Sequence, residues 1–441
     1  MTTYDRRLGL FSGTMAVIGG IVGAGIFRTP AAVAQRVPSP GAALGAWIVG
    51  GIVALIGAFC FAELGQRRPK AGGGYVYLRE AWGPLPAFLY GWALLLVIAT
   101  GAIAAVAVTF ASYALVLVGL PDRLTVPLAI GAIALLSAVN YLGVKPAAVT
   151  QNVFTLLKLA GLAALIVTGL GTAPLPSPAA PEAFPAGGGS LFASIGIALT
   201  PILFTYGGWQ QTNFIAEEIV EPERTLPRAL VLGVAAVVIV YLLANVAYLR
   251  VLGHAGLAAS TAPAADLMRA RLGPAGGALI AAAIAVSTFG FLNLVILVTP
   301  RVLQAMAADG LFFPRFARLH PTYRTPTAAI LLQAAWAGVL TLTGTFAQLV
   351  DYVAFGDWIF FGLTAAALFR YRARDRNIGV TTGTFRVPGY PWTPMLFVVA
   401  AGYVVASSVV ASPRNALIGS GLLALGLPIF GRWRRRAATP S

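Results

Sequence analysis

The stretch Ile18-Gly19-Gly20-Ile21-Val22-Gly23-Ala24-Gly25-Ile26-Phe27 sets four glycines in the middle of an apolar run that covers residues 10–34. Each glycine costs about 1 kcal/mol relative to alanine inside a helix, so the helix is expected to unwind here. A second interruption, Phe204-Thr205-Tyr206-Gly207-Gly208-Trp209, lies at a comparable depth in the run 190–216. Irregular backbone at membrane depth is tolerated only where it lines a cavity or is buried in protein. Two such breaks at corresponding places in two halves of a chain point to a solute site between inverted repeats. The competing reading is helix packing, because Gly19 and Gly23 have the spacing of a Gly-x-x-x-Gly contact face. The pairing with the second break favours the solute site.

The remaining sequence supplies the membrane. Of 441 residues, 58% are hydrophobic and 10% are charged, with 50 glycines and 29 prolines; the mean hydropathy is +0.83. A soluble chain carries roughly a quarter charged residues. The glycines have no period of three, which excludes collagen, and the apolar content excludes disorder. About 20 apolar residues cross a bilayer, and twelve runs qualify: 10–34, 41–64, 84–118, 124–142, 149–171, 190–216, 228–252, 274–304, 326–343, 347–370, 391–411 and 413–431. The third exceeds the need of a bilayer, which implies tilt or an extension into solvent. The first run has no small-residue cleavage site after it and reads as a span rather than a signal peptide.

The net charge of +16 acquires meaning from its placement. With both termini inside, about 22 of the 30 basic residues fall on the inner side, among them Arg67, Arg68, Arg301, Arg372 and Arg374, so the positive-inside rule orients the chain. Nucleic-acid binding needs a basic face on a soluble domain, and no segment between spans exceeds about 20 residues. The basic tail 433–441, with Arg434-Arg435-Arg436, reads as an anchor to anionic membrane lipids. Residues 1–432 thus form one transmembrane unit, with 10–171 and 190–370 as two five-helix halves and 391–431 as two further helices.

Half-helix amide ends bind a carboxylate, and freed carbonyls accept bonds from an ammonium; an amino acid zwitterion offers both groups. The motifs now support a resemblance. Gly23-Ala24-Gly25-Ile26-Phe27 resembles the G-S-G-I-F break of the amino acid-polyamine-organocation superfamily. Phe61-Ala62-Glu63-Leu64-Gly65, then Pro69 and Gly72-Gly73-Gly74-Tyr75-Val76-Tyr77-Leu78, resembles the stretch that follows its second helix. Phe204 to Trp209, with Asn213-Phe214 and Glu217-Glu218, is similar to helix 6 of the L-type amino acid transporter branch. With twelve spans in register, the likeness covers essentially the whole chain.

The resemblance implies an all-α polytopic membrane protein with a leucine-transporter-like 5+5 inverted repeat, helices 1 and 6 unwound at mid-membrane and helices 11 and 12 peripheral. It implies that the amides at Ala24 and Gly25, beside Gly23, hold the substrate carboxylate, that the carbonyls of Ile21, Phe204 and Gly207 hold the α-ammonium, and that Phe204 and Trp209 gate and shape the pocket. Ala24 stands where the family has serine, so the amide remains and the hydroxyl bond is absent.

Lys158, amid the apolar fifth span, is read as functional because an intramembrane charge is costly; snorkelling is the alternative. In the resembled family a helix 5 lysine replaces the sodium ion that related transporters hold between helices 1 and 8. Sodium-independent transport follows, with a proton symporter that uses Lys158 as its carrier left open beside an exchanger. The carboxylates near spans, Glu63, Asp351 and Asp357, are read as lying at or near span ends, which tilts the balance toward exchange and toward neutral substrates.

Glu63, Glu217 and Glu218 form a candidate inner gate near Arg67, Arg68 and Arg224, against simple solvation at the membrane edge. Arg28 lines an outer vestibule or snorkels; Asn293 bonds helix 1 or glues helices together; 264–272 is read as a short external helix. His254 and His320 fall in loops and no His-Glu-x-x-His occurs, so no metal site, cofactor or enzymatic chemistry is expected. No phosphate-binding loop is present, which excludes an ATP-driven pump and leaves a channel or receptor as the rival class. Animal L-type members join a glycoprotein through a cysteine between helices 3 and 4. Here Gly119 to Leu124 has none and Cys60 is the sole cysteine, so no disulfide-linked heavy subunit is expected, as suits a carrier of the bacterial plasma membrane.

Overall fold

The computed structural model describes residues 4–171, 191–343, 346–377 and 385–438. The Pro-rich segment 172–189 and the side chains of Asp351 and of Arg434, Arg435 and Arg436 lie outside the described residues. Apart from an isolated bridge between Leu8 and Ile219, the described regular structure is all helical. Its helices are α1 (Leu10–Ile21), α2 (Thr29–Ala34), α3 (Pro40–Arg67), α4 (Gly74–Trp82), α5 (Pro84–Ala93), α6 (Ala99–Val118), α7 (Thr125–Tyr141), α8 (Val144–Leu170) and α9 (Leu191–Tyr206). The second part of the chain adds α10 (Pro222–Ala259), α11 (Pro263–Ala308), α12 (Thr327–Thr343), α13 (Phe346–Asn377), α14 (Trp392–Ala411), α15 (Pro413–Ala424) and α16 (Gly426–Ala438).

Among the described residues, eight helices or helix pairs are long and apolar enough to cross a membrane, with α1 and α12 as shorter apolar helices. Local chemistry places their ends. Ser39 caps α3 by accepting the Ala42 amide at 3.2 Å, with Pro40 at the first helical position. Gly119, at φ +68°, turns the chain out of α6 in the left-handed conformation. Gly273, at φ +62°, breaks α11, so its first part from Pro263 to Leu272 is a separate short helix ahead of the long span. The oversized third span is α5 and α6 joined through a π-helical turn at Leu94–Ile98, a local widening that often marks a functional wall.

α3 packs along α10, α11 lies against α8 and α6, and α1 is held between α8, α10 and the 209–218 segment. α11 is the most enclosed span, with 72% of its most apolar window buried, against 22% for α14 and for the α15–α16 pair. Those outer helices leave Val410 and Leu417 exposed, as apolar side chains that face lipid do. At the centre, Trp47 meets Tyr206 and Tyr241 edge to face at 5.5 and 6.0 Å, which buries three large rings beside the breaks.

Candidate functional site

α1 stops at Ile21, and the chain passes through Val22, Gly23 and Ala24 into a 3-10 turn, Gly25–Phe27, before α2. α9 stops at Tyr206 and resumes after Gly207-Gly208 as a 3-10 segment, Trp209–Glu218. The two interruptions touch. Gly208 adopts φ +111°, and a Cβ there would collide with the Gly20 carbonyl; a Cβ on Gly20 would lie 2.8 Å from the Gly208 carbonyl oxygen. Only glycines permit this approach, because both the left-handed φ and the lack of space forbid a side chain. Gly25 meets Thr205 in the same way, with the Thr205 methyl 2.8 Å from where its Cβ would stand. The Thr205 hydroxyl also bonds that of Thr29 at 2.8 Å, which ties α9 to α2.

Between the breaks lies a cavity of about 270 Å³, walled by Ile21, Gly23, Ala24, Gly25, Phe204 and Gly207, and on its other sides by the π-helical turn, α11 and α13. The amides of Ala24 and Gly25 precede or open a helical turn and have no acceptor within it. The Ile21 carbonyl accepts both the Tyr241 hydroxyl at 3.1 Å and the Gly23 amide at 2.9 Å. Its capacity is filled, so its expected bond to an ammonium requires a rearrangement. The Phe204 carbonyl accepts only the Gly207 amide, at 3.1 Å, among the described residues, and the Phe204 ring is half exposed. Trp209 does not line the cavity. Its indole is buried behind the wall at 5.0 Å from the Phe61 ring and 6.1 Å from Phe397, so helix 3 and helix 14 draw it away from the expected gating place.

Lys158 is fully buried, and its ammonium donates to the carbonyls of Gly19 at 3.1 Å and Val22 at 2.7 Å. It therefore caps the broken end of α1, where the helix leaves unpaired carbonyls and the negative end of its dipole. From the opposite side Ser287 of α11 donates to the same Val22 carbonyl and to Gly23, each at 3.2 Å. Gly290 leaves the space that Lys158 occupies: a Cβ on it would stand 3.4 Å from the ammonium nitrogen. The lysine thus fills a gap between α1 and α11 that is lined by oxygen acceptors.

The three glutamates of the candidate gate take different partners. Buried Glu63 bonds Arg67, Arg372 and the Val387 amide, the last at 2.7 Å, and so joins α3 to α13 and the chain after it. Glu217 accepts the Ala71 amide at 3.2 Å. Glu218 pairs with Arg301 at 2.7 Å rather than with Arg224, and both partners are buried. Arg301 consequently sits inside α11 and not in an inner loop. Arg68 pairs with Glu80 at 2.6 Å. Asn293 bonds Asn140, Ala147 and Gln151, which makes it a junction of α7, α8 and α11 rather than a partner of α1. Arg28 is exposed and borders a second cavity that the short helix from Pro263 to Leu272 also lines.

The reading of Asp357 as a span-end residue fails. It lies well within α13, on the wall of the central cavity, where it is the one charged side chain among the described lining residues. Its place ten residues into the run 347–370 was the available signal. Tyr241, Ser287 and Gln211 likewise belong to the site or its supports; Tyr241 is a single polar residue in an apolar span, and neither Ser287 beside Thr288 nor Gln211 in the run Gln210-Gln211-Thr212-Asn213 forms a motif.

A family model described as amino acid permease matches residues 8–430. The human b(0,+)-type amino acid transporter 1 is 32% identical over 416 residues, 93% of this chain and 84% of its own. The serine/threonine exchanger SteT of Bacillus subtilis is 31% identical over 98% of both chains, and mouse large neutral amino acids transporter small subunit 2 is 31% identical over 96% of this chain and 80% of its own. Two broken helices border one cavity in a chain whose helices are long and apolar enough to cross a membrane. The chain belongs to the amino acid permease family of the amino acid-polyamine-organocation superfamily; it is an integral membrane protein and a transporter, not an enzyme.

Proposed function

We propose that the protein is a sodium-independent amino acid exchanger that works by alternating access, with a leucine-transporter-like 5+5 repeat, twelve spans and both termini cytoplasmic. The observation that carries this reading is the pair of glycine breaks in contact at Gly20 and Gly208, bordering one cavity, with a lysine ammonium among the carbonyls beside it. The amides of Ala24 and Gly25 hold the substrate carboxylate. The open carbonyl valence of Phe204, with Gly207, takes the ammonium.

Lys158 supplies the positive charge that would otherwise come from a bound cation. Its ammonium bonds two carbonyls at the break as a bound cation would, and this geometry supports the reading of a fixed charge. A relative printed as an exchanger supports the same mode. No disulfide-linked subunit is required: Cys60, the sole cysteine, is buried in α3. Neutral substrates are expected if the core holds no carboxylate, and the placement of Asp357 removes that premise.

Purified protein in proteoliposomes, loaded with unlabelled amino acid and given a trace of label outside, is expected to show counterflow that persists when choline replaces sodium and when an ionophore collapses the proton gradient. Strict sodium dependence, or uptake driven by a proton gradient without internal substrate, would overturn this reading.

A further inference from the structure

We propose that the cavity selects amino acids with a cationic side chain, and that Asp357 is the residue that recognises the charge. This rests on the reading of the cavity as an amino acid site and specifies its substrate.

Asp357 makes no hydrogen bond or ion pair with any described residue. Lys158 does not neutralise it, since its ammonium is committed to the Gly19 and Val22 carbonyls. Asp357 is only partly exposed, and a carboxylate largely withdrawn from water without a partner is disfavoured. A substrate with an apolar side chain would leave it unpaired. An ammonium or guanidinium would give it a charge-assisted bond.

The rest of the wall has the same character. The Gln211 side-chain oxygen is buried without a hydrogen-bond partner and belongs to the lining, a second acceptor in need of a donor. Tyr90, Phe214, Trp358 and Phe361 surround this part of the cavity with aromatic rings, and such rings attract cations while their apolar surface suits an alkyl stem. With the two backbone breaks and one acid in its wall, the cavity matches a zwitterion whose side chain ends in a positive charge.

Two measurements in the full-length protein test this. In counterflow with wild type, lysine and ornithine are expected to compete at concentrations at least tenfold lower than Nε-acetyllysine, which keeps the stem and loses the charge. In Asp357→Asn the ratio of lysine to leucine kcat/KM is expected to fall at least tenfold, with Asp357→Glu retaining more of the preference. Equal competition by lysine and acetyllysine, or an unchanged ratio in Asp357→Asn, overturns the assignment while leaving the exchanger reading intact. If no amino acid of any class exchanges, the exchanger reading itself falls, and this one with it. A variant that fails to fold leaves the wild-type competition as the deciding result.

Discussion

Lys158 bonds two carbonyls that α1 leaves unpaired at its break, and Gly290 opposite provides the room. Removal of the side chain would expose those carbonyls in a buried gap, at a cost of about 1–3 kcal/mol for each unsatisfied group. Lys158→Ala is therefore expected to lower the exchange rate more than tenfold in the counterflow assay and to reduce Tm in detergent. Full activity in the variant would leave the lysine with no part in transport. At this scale the sequence was readable where chemistry is out of place: a lysine among leucines signals a function, and glycine runs signal a break. Asp357 is equally out of place, but its depth depends on where α13 ends, and that helix continues beyond the apolar run to Asn377. Trp209 was read as facing the cavity because a helical break does not fix the direction of the next side chain; packing against Phe61 and Phe397 does.

The segment after the second break must move against its neighbours if access alternates, and one buried pair fastens it to α11. Glu218 and Arg301 bond at 2.7 and 3.2 Å with essentially no exposure. Breaking such a pair from one side leaves an unpaired buried charge and costs about 3–5 kcal/mol, whereas replacing both partners by apolar groups is often neutral. Arg301→Met alone is expected to lower Tm sharply, and Glu218→Leu with Arg301→Met to restore most of the loss. Additive losses in a double-mutant cycle would show that the two side chains act independently. Sequence pattern puts both residues near the inner ends of helices and sets Glu218 in a group with Arg67, Arg68 and Arg224 without Arg301. The actual partner comes from an element some eighty residues away, which only helix packing brings near.

For the whole molecule, the distribution of basic residues predicts the sidedness of the chain. In a Cys60→Ser background, Asp122→Cys is expected to react with a membrane-impermeant maleimide in right-side-out vesicles, and Ser441→Cys only after permeabilisation. The opposite pattern would invert the proposed topology. Span number and order are read from hydropathy, a local property that survives without coordinates; among the described residues eight helices or helix pairs are long and apolar enough to cross. The π-helical turn in the third span and the separate short helix ahead of Gly273 refine that outline.

The sequence by itself determined that this chain is a helical membrane protein, which family it resembles, where two helices break and that a lysine lies in the apolar interior. Each of these is written in composition, spacing or a residue at odds with its neighbours. Only the tertiary structure decided that the two breaks touch through Gly20 and Gly208, that Lys158 caps one of them, and that Asp357 lines the cavity they border. Those facts depend on the rotation and tilt of helices about one another, and that is set by side-chain packing across elements distant in the chain.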